Sequence, residues 1–309
     1  MIRSVLLSAS RSDTLESLVK GSAVSRSVVA RYVAGETIAD AVETAGELRA
    51  EGLLSTIDFL GEDTVEREQA DSVRRQYVDL LTALGEIGLT GSAEVSLKLS
   101  AVGQALPEDG DRIALDNARA ICEAAATVGT SVTLDMEDHT TTDSTLEVLR
   151  TLREDFPSTG GVLQAYLRRT EADCRDFAGA GSRIRLCKGA YAEPESVAYQ
   201  TRSEVDRSYV RCMRILLEGE GYPALATHDP RLIEIAGALA VRARRDSGSY
   251  EYQMLYGVRP DEQLAIVARG DRMRVYIPYG DAWYGYMVRR MAEKPANLAL
   301  FLKSMTSKG

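Results

Sequence analysis

Ser131-Val-Thr-Leu-Asp-Met136 is followed in the chain by Thr145-Leu-Glu-Val-Leu-Arg-Thr-Leu-Arg-Glu154 and then by Val162-Leu-Gln-Ala-Tyr166. The outer two segments are short apolar runs, which predicts strands, and the middle segment carries apolar residues at helical spacing. A strand, a helix and a strand in this order are typical of parallel strands joined by a right-handed crossover. The stretch therefore predicts an α/β fold.

The same alternation continues in both directions along the chain. Eight segments are predicted as strands: Leu53 to Asp58, Ala93 to Leu99, Ser131 to Met136, Val162 to Tyr166, Arg183 to Lys188, Ala224 to Thr227, Tyr250 to Leu255 and Met273 to Ile277. Amphipathic helices are predicted between them, including Thr64 to Leu84, Gly110 to Thr127, Thr145 to Glu154, Val197 to Leu217 and Asp229 to Arg242. Eight such units in one chain predict a (β/α)8 TIM barrel. A doubly wound sheet is the structural alternative, but Gly179-Ala-Gly181 precedes a strand and lacks the third glycine of a dinucleotide fingerprint.

Helical patterns come before the first predicted strand. Asp13 to Val19 and Thr37 to Leu48 each begin with a capping residue and continue with apolar residues at helical spacing. We therefore predict an N-terminal helical arm in residues 1–50, followed by one barrel in residues 51–309.

The bulk composition restricts the partners of this protein. The 309 residues carry a net charge of -9, and the pI is near 5.0. A negative field disfavours nucleic acid, and it also disfavours simple electrostatic adhesion to anionic lipid. No apolar run approaches the roughly 20 residues of a membrane-spanning helix. The sequence predicts a cytoplasmic protein and leaves peripheral contact with the inner face of the membrane open.

Metal and disulfide chemistry are not expected. The four cysteines are far apart in the sequence and fit no paired metal-ligand spacing: Cys122, Cys174, Cys187 and Cys212. We interpret such cysteines as reduced thiols with a structural role. With only His139 and His228 as histidines, no metal site is predicted.

Polar side chains recur where the predicted strands end. They are Lys98, Asp135, Gln164, Tyr166, Arg185, Lys188, Thr227, His228, Gln253 and Tyr276. In barrels of this type the active site gathers at the carboxyl ends of the strands. Each buried charge costs several kcal/mol unless it is partnered, so packing alone does not account for so many. This pattern predicts a functional site at that end.

The eighth strand leads into a helix that carries cations. Asp281 is predicted to cap this helix, and Tyr286, Arg289, Arg290 and Glu293 share one helix surface at spacings of three or four residues. A solvated helix face with an incidental ion pair is one interpretation. The other is a site where two arginines bind a small carboxylate in bidentate fashion.

The residue types indicate a site that binds an anionic ligand and needs little acid–base catalysis. Lys98 and Asp135, on neighbouring strands, could pair and keep each other charged. Lys188-Gly-Ala-Tyr191 offers a cation and a glycine at a turn, which suits the close approach of a phosphate or a flat ring. These features favour a large anionic cofactor across the barrel mouth. A lyase or aldolase that uses Lys98 or Lys188 as a Schiff-base nucleophile stays open, and so does a non-catalytic metabolite-binding barrel.

Taken in order, several motifs together resemble one known family. They are Ser96-Leu-Lys-Leu-Ser100, Leu134-Asp-Met-Glu137, Gly161-Val-Leu-Gln-Ala-Tyr-Leu167, Arg185-Leu-Cys-Lys-Gly-Ala-Tyr191, Ala226-Thr-His228, Tyr250-Glu-Tyr-Gln-Met-Leu-Tyr-Gly257 and Arg274-Val-Tyr-Ile-Pro-Tyr-Gly280 with Arg289-Arg290. The series resembles the monofunctional bacterial proline dehydrogenases and extends from about Leu53 to Asn297. The resemblance implies a flavoenzyme on a distorted (β/α)8 barrel. It implies that FAD takes a hydride as L-proline becomes Δ1-pyrroline-5-carboxylate, the first step of proline catabolism. Membrane quinone or another acceptor would then take the electrons, and a separate pyrroline-5-carboxylate dehydrogenase would take the product.

The resemblance also implies a role for individual residues. Asp135 and Arg185 match the catalytic positions. The positions that bind and cover the proline match Lys98, Tyr276, Arg289 and Arg290. The positions that contact FAD match Met136, Gln164, Lys188, Gly189, Ala190, Thr227 and His228. Tyr191 and Gln253 have a supporting role, and Glu62 is expected to form a lid ion pair with Arg289.

Three positions depart from the family pattern. Asp229 stands where an asparagine is usual, Cys187 where an aliphatic residue is usual, and Ala192 where an aromatic residue is expected. They border the predicted flavin site. The departures therefore bear on cofactor affinity and redox tuning more than on the reaction.

Overall fold

Eight parallel strands close into a barrel in the computed structural model, which describes residues 29–293 and, from Arg289 to Glu293, only the backbone. The strands are β1 (Leu54–Phe59), β2 (Ala93–Lys98), β3 (Val132–Asp135), β4 (Gly160–Gln164), β5 (Arg183–Cys187), β6 (Tyr222–Ala226), β7 (Glu251–Leu255) and β8 (Met273–Tyr279). The helices are α1 (Ile38–Ala50), α2 (Arg67–Glu86), α3 (Gly110–Val128), α4 (Thr142–Asp155), α5 (Thr170–Asp176), α6 (Arg202–Glu218), α7 (Pro230–Arg242), α8 (Pro260–Ala268) and α9 (Trp283–Glu293). A short 3-10 helix, Leu99–Val102, follows β2. The predicted α/β barrel is confirmed, with its eight strands in the predicted order.

The barrel separates two kinds of side chain by the period-two alternation of a strand. Residues that face the surrounding helices are apolar and fully buried, such as Ile57, Leu97 and Leu186. Their neighbours in the chain face the interior and are largely polar. The helices cover the barrel with apolar stripes, and α2 contributes Tyr77 and Leu81 at i and i+4. The apolar core therefore lies between strands and helices, and the barrel interior is left for polar groups.

A layer of charged residues fills the interior below the carboxyl ends. It comprises Glu94 on β2, Arg183 on β5, Glu251 on β7 and Arg274 on β8, which are named here the ionic layer. Arg274 Nε lies 2.7 Å from Glu251 Oε1, and Arg183 pairs with Glu94. Because each charge has an opposite partner, the layer avoids the cost of an isolated buried ion.

Helix α1, which lies inside the predicted N-terminal arm, packs on the barrel. Ala41, Ala45 and Leu48 belong to the main core. Just before the helix, Ala34 N donates to Pro278 O at 3.0 Å, and Gly35 O accepts from Gly280 N at 3.0 Å. The division at residue 50 stays a prediction, and the predicted helix at Asp13 to Val19 lies outside the described residues.

Two expectations about the last unit were wrong. The eighth strand was predicted to end at Ile277, yet β8 continues through Pro278 to Tyr279. Proline lacks only the N–H, and its carbonyl still accepts from Ala34. Asp281 was expected to cap the next helix, but α9 begins at Trp283, which places Asp281 one residue too early for that role.

Other boundaries moved by a few residues. The strand β4 runs from Gly160 to Gln164 rather than from Val162 to Tyr166. Helix α6 begins at Arg202 rather than Val197, because Thr201 and Glu204 form a capping box. Among residues 29–293, no helix is long and apolar enough to cross a membrane.

Candidate active site

Lys98 ends β2 and points into the carboxyl end of the barrel, among three oxygen atoms. Its Nζ lies 2.7 Å from Asp58 Oδ2, 3.9 Å from Asp135 Oδ2 and 3.5 Å from the Tyr276 hydroxyl. Burial alone would lower the pKa of Lys98, but the carboxylates of Asp58 and Asp135 outweigh burial and raise that pKa. Lys98 therefore stays protonated. A Schiff-base nucleophile must be a neutral amine, so this environment disfavours that role.

Asp58 is a site residue that the sequence reasoning missed. It is fully buried in β1, and its Oδ1 lies 3.4 Å from the Tyr77 hydroxyl. The predicted Lys98–Asp135 pair is present, but the distance to Asp58 is shorter by more than 1 Å. The signal was available, because Asp58 is a polar residue at the carboxyl end of the first predicted strand.

Asp135, Arg185 and Tyr276 form a second group beside Lys98. Arg185 Nη1 donates to Asp135 Oδ1 at 2.6 Å, and the Tyr276 hydroxyl donates to Asp135 Oδ2 at 2.7 Å. The Arg185 guanidinium lies 5.3 Å from the centre of the Tyr276 ring. Burial and the nearby Asp135 raise the pKa of Tyr276, so its phenol stays neutral and keeps donating. The structure thus brings together two predicted catalytic residues and two predicted substrate-binding residues.

Further hydrogen bonds hold the Arg185 guanidinium to side chains of other strands. Its Nε donates to Gln253 Oε1 at 2.6 Å, and its Nη1 also donates to Ser96 Oγ at 2.9 Å. Gln253 in turn donates to Glu251 of the ionic layer. With its donors occupied in this way, the guanidinium has little freedom to turn. The ionic layer therefore supports the site from below.

Gln164 ends β4, and Met136 directly follows Asp135 at the end of β3. Gln164 Nε2 donates to Met136 O at 3.1 Å. Gln164 Oε1 is buried and has no hydrogen-bond partner among the described residues. A buried acceptor without a donor is costly, and such groups in a cleft are typical of ligand-binding positions.

The turn after β5 carries Lys188, Gly189 and Ala190. Gly189 has a φ of 106°, and a Cβ there would lie 2.2 Å from Tyr166 Cδ1. Only glycine therefore fits this turn against the tyrosine ring. The Lys188 ammonium pairs with Asp206 and lies 3.6 Å from Asp229 Oδ2.

Thr227 and His228 follow β6 in a turn held by backbone contacts. Thr227 Oγ1 accepts from Asp229 N at 3.2 Å, and Thr227 N donates to Gln253 O at 3.2 Å. His228 Nε2 accepts from Leu255 N at 3.0 Å. A neutral His228 therefore carries its proton on Nδ1.

Asp229, Cys187 and Ala192 depart from the family pattern, and they lie around the turns that follow β6 and β5. Asp229 caps α7, and a hydrogen bond from Arg231 helps to hold the pKa of Asp229 well below its usual range. Its added negative charge is therefore balanced by cations. Cys187 is half-buried, with its Sγ 3.6 Å from Leu163 O, and Ala192 is exposed.

The structure describes some of the remaining predicted site residues with their side chains and others only by their backbone. Arg289 and Arg290 lie on α9, and Tyr286 of the same helix is buried. The side chains of Arg289, Arg290 and Glu293 lie outside the described residues, so their predicted contacts stay predictions. Glu62 is half-buried in the connection after β1, and its charge contributes to raising the pKa of Lys98.

The fold and the site define an enzyme of the (β/α)8-barrel class with charged lysine and arginine side chains at the carboxyl ends of its strands. A sequence model of the proline dehydrogenase family matches residues 41–301. The chain is 37% identical over 308 residues to proline dehydrogenase 1 of Bacillus subtilis subsp. natto, with 100% of both chains covered. It is 39% identical over 277 residues to the proline dehydrogenase of Deinococcus radiodurans, with 89% of each chain covered.

A solved structure with a similar fold leads to the same family. The crystal structure of proline utilization A (PutA) from Bdellovibrio bacteriovorus inactivated by N-propargylglycine superposes with a TM-score of 0.81 at 26% identity. The match covers 92% of this chain and 34% of that one, so the chain spans about a third of that protein. The chain belongs to the proline dehydrogenase family, as its motifs predicted. It is an oxidoreductase with proline dehydrogenase function.

Proposed function

We propose that the protein oxidises L-proline to Δ1-pyrroline-5-carboxylate by hydride transfer to FAD, as the first step of proline catabolism. The observation that carries this proposal is the pair of buried cations, Lys98 and Arg185, fixed by Asp58 and Asp135 at the carboxyl end of the barrel. Such a pocket suits a small anionic substrate next to a larger anionic cofactor.

Lys98 is the proposed anchor of the proline carboxylate on the described side of the pocket. Its Nζ is a charged donor held in one place by Asp58. Arg289 and Arg290 are proposed to complete the carboxylate site from α9, on the strength of their motif. Tyr276, fixed through its hydroxyl by Asp135, is proposed to cover the ring. Orientation of this kind supplies much of the rate in reactions that need alignment.

The cofactor-side residues fit a flavin. Gln164 Oε1 is a buried acceptor that lacks a donor among the described residues, and Lys188 offers a cation after β5. Met136, Gly189, Ala190, Thr227 and His228 are proposed to complete the FAD contacts. When bound, FAD supplies the two-electron acceptor that the protein itself lacks.

The proposed reaction moves one hydride and one proton. The C–H bond of the ring carbon next to the amine breaks as a hydride, the amine nitrogen loses a proton, and a C=N bond forms. The amine must be neutral beforehand, because its lone pair expels the hydride. Activity should therefore rise with pH towards the pKa of bound proline, and a pH-independent rate would contradict this step.

The fate of the electrons and of the product is proposed from the family resemblance. Membrane quinone, reached by peripheral contact, or another acceptor would reoxidise the flavin. A separate pyrroline-5-carboxylate dehydrogenase would consume the product.

The visible absorption spectrum of the purified protein tests the proposal. We expect a yellow protein whose flavin bands bleach when L-proline is added without oxygen. Pyrrolidine, which lacks the carboxylate for Lys98, is the matched control and should bleach the flavin only at much higher concentration. A colourless protein that cannot be reconstituted with FAD would refute the cofactor assignment. Bleaching by pyrrolidine and proline alike would refute the carboxylate site.

A further inference from the structure

The connection between β1 and α2 follows the carboxyl end of β1, and two of its backbone amides donate to Ser100. Asp63 N donates to Ser100 Oγ at 3.3 Å, and Thr64 N donates to Ser100 O at 3.1 Å. Within this segment Asp63 has a φ of 53°, in the left-handed region that residues other than glycine adopt uncommonly. The four residues Gly61 to Thr64 are named here the mouth segment.

Glu137 holds Ser100 in turn. Its Oε1 accepts from Ser100 Oγ at 2.7 Å, and its Oε2 accepts from Ser100 N at 3.2 Å. Both residues are buried. A carboxylate that accepts two hydrogen bonds from one residue fixes that residue in position and orientation. Glu137, Ser100 and the mouth segment thus form one hydrogen-bonded chain.

This chain lies directly beside the substrate-binding groups. Ser100 is two residues after Lys98, and Glu137 is two residues after Asp135. Glu62 of the mouth segment acts electrostatically on both Lys98 and Glu137. Burial raises the pKa of Glu137 to about 7, against the opposing hydrogen bond from Ser100. None of the catalytic roles assigned above uses Glu137, so its buried carboxylate needs another explanation.

We propose that Glu137 is a positioning residue for substrate affinity, which acts through Ser100 to hold the mouth segment next to Lys98. The inference rests on the proposed function, because it concerns the pocket assigned to proline. Glu137 touches neither Lys98 nor Asp135 through a hydrogen bond among the described side chains, so its effect on the substrate is indirect.

Glu137→Ala and Glu137→Gln separate hydrogen bonding from charge. The alanine variant loses both acceptors for Ser100. The glutamine variant keeps a carbonyl oxygen for Ser100 N and presents an amide donor to Ser100 Oγ, without the charge. We expect the KM for L-proline to rise about tenfold in Glu137→Ala, as the loss of about one hydrogen-bonded contact implies. We expect kcat to stay within about twofold of wild type, and Glu137→Gln to restore the KM.

Amide hydrogen exchange gives a readout that does not depend on turnover. In Glu137→Ala and in Ser100→Ala, the amides of Asp63 and Thr64 should exchange faster than in wild type. Gln104→Ala is the matched control. It removes a 2.9 Å hydrogen bond from Gln104 Nε2 to Ser144 Oγ, close to the same 3-10 helix, without touching the mouth segment. The control should leave the KM and both amides unchanged.

The outcomes separate the inference from the proposed function. Unchanged exchange at Asp63 and Thr64, or a Glu137→Gln variant as impaired as Glu137→Ala, would overturn the positioning role. A fall in kcat without a rise in KM would also overturn it. If wild-type protein failed to bleach with proline, the proposed function would fall, and exchange at the two amides would still decide whether Glu137 holds the segment. Ser100→Ala provides the same test if Glu137→Ala does not fold.

Discussion

Among the described side chains of the proposed substrate pocket, Asp58 and Lys98 form the most deeply buried ion pair, with side chains 1% and 10% exposed. In such a pair the loss of one partner is costly, because the other charge stays in a low-dielectric interior. Lys98 has Asp135 as a second carboxylate neighbour, but at 3.9 Å and already engaged by Arg185 and Tyr276. Asp58 is therefore the residue on which the position of Lys98 most depends.

Asp58→Ala should destabilise the protein by about 3–5 kcal/mol, since it leaves Lys98 without its near partner. Chemical denaturation of the variant and the wild type measures the difference. Asp71→Ala is the control, because the half-buried Asp71 pairs at 3.8 Å with the exposed Arg67. The loss of this pair should cost less than about 1 kcal/mol. An equal loss in the free energy of unfolding for both variants would show that Lys98 does not depend on Asp58.

Lys188→Ala should weaken retention of the flavin, because the variant leaves Asp206 and Asp229 without the ammonium between them. If Lys188 makes its proposed charge-assisted contact with FAD, its loss should lower the affinity for that cofactor by about tenfold. The ratio of flavin to protein after gel filtration measures the effect. Arg175→Ala is the control, since Arg175 pairs with Glu171 at an exposed position on α5. A Lys188→Ala protein with full flavin content would place the cofactor elsewhere.

At the scale of elements, the turn between β5 and α6 shows how a strand, its loop and the next strand depend on one another. The ring of Tyr166, just after β4, packs on Gly189, and its hydroxyl donates to Glu193 Oε1 at 3.2 Å. Glu193 also accepts from His139 N at 2.9 Å. Three connections at the carboxyl end of the barrel are thus tied together around the predicted flavin position.

Gly189→Ala should distort this turn, because alanine is strained at a φ of 106° and its Cβ would collide with the Tyr166 ring. We expect a loss of about 2 kcal/mol in the free energy of unfolding and a lower flavin content. Thermal unfolding and the absorption spectrum report the two effects. Gly179→Ala, at a loop glycine with nothing within 4 Å of a Cβ, should change neither. Wild-type behaviour of Gly189→Ala would mean that the turn has room to adjust.

At the scale of the whole molecule, the ionic layer joins strands on opposite sides of the barrel. Although burial opposes it, the guanidinium groups of Arg274 and Arg183 lower the pKa of Glu251 to about 2. A carboxyl group with a lowered pKa in the folded state stabilises the fold above its unfolded pKa of about 4.5. That contribution is lost as the pH falls through the folded value.

The free energy of unfolding should therefore fall between about pH 4.5 and pH 2. The part due to Glu251 is on the order of 3 kcal/mol, because its pKa is lowered from 4.5 to about 2. The double variant Glu251→Gln, Arg274→Met should show a weaker pH dependence over this range in urea unfolding. Its stability near neutral pH can equal that of the wild type, since buried ion pairs contribute little net stability. An identical pH dependence in both proteins would contradict the lowered pKa.

Local sequence patterns determined the number, order and type of the barrel units. Short apolar runs and helical periodicity extend over a few residues, so they can be seen without knowing the fold. The same reasoning placed Lys98, Asp135, Arg185 and Tyr276 at one end of the barrel, because parallel strands in a barrel end at the same face. The ordered motifs also predicted the proline dehydrogenase family.

The tertiary structure decided which polar groups meet. Lys98 takes Asp58, 40 residues away, as its near partner, and Arg185 is held by Gln253, 68 residues away. Barrel closure sets these pairs, since side chains from distant strands share one interior, and no local pattern encodes the distances between them. For the same reason, Glu137 and Ser100, an unremarked pair in the sequence, became the support of the mouth segment.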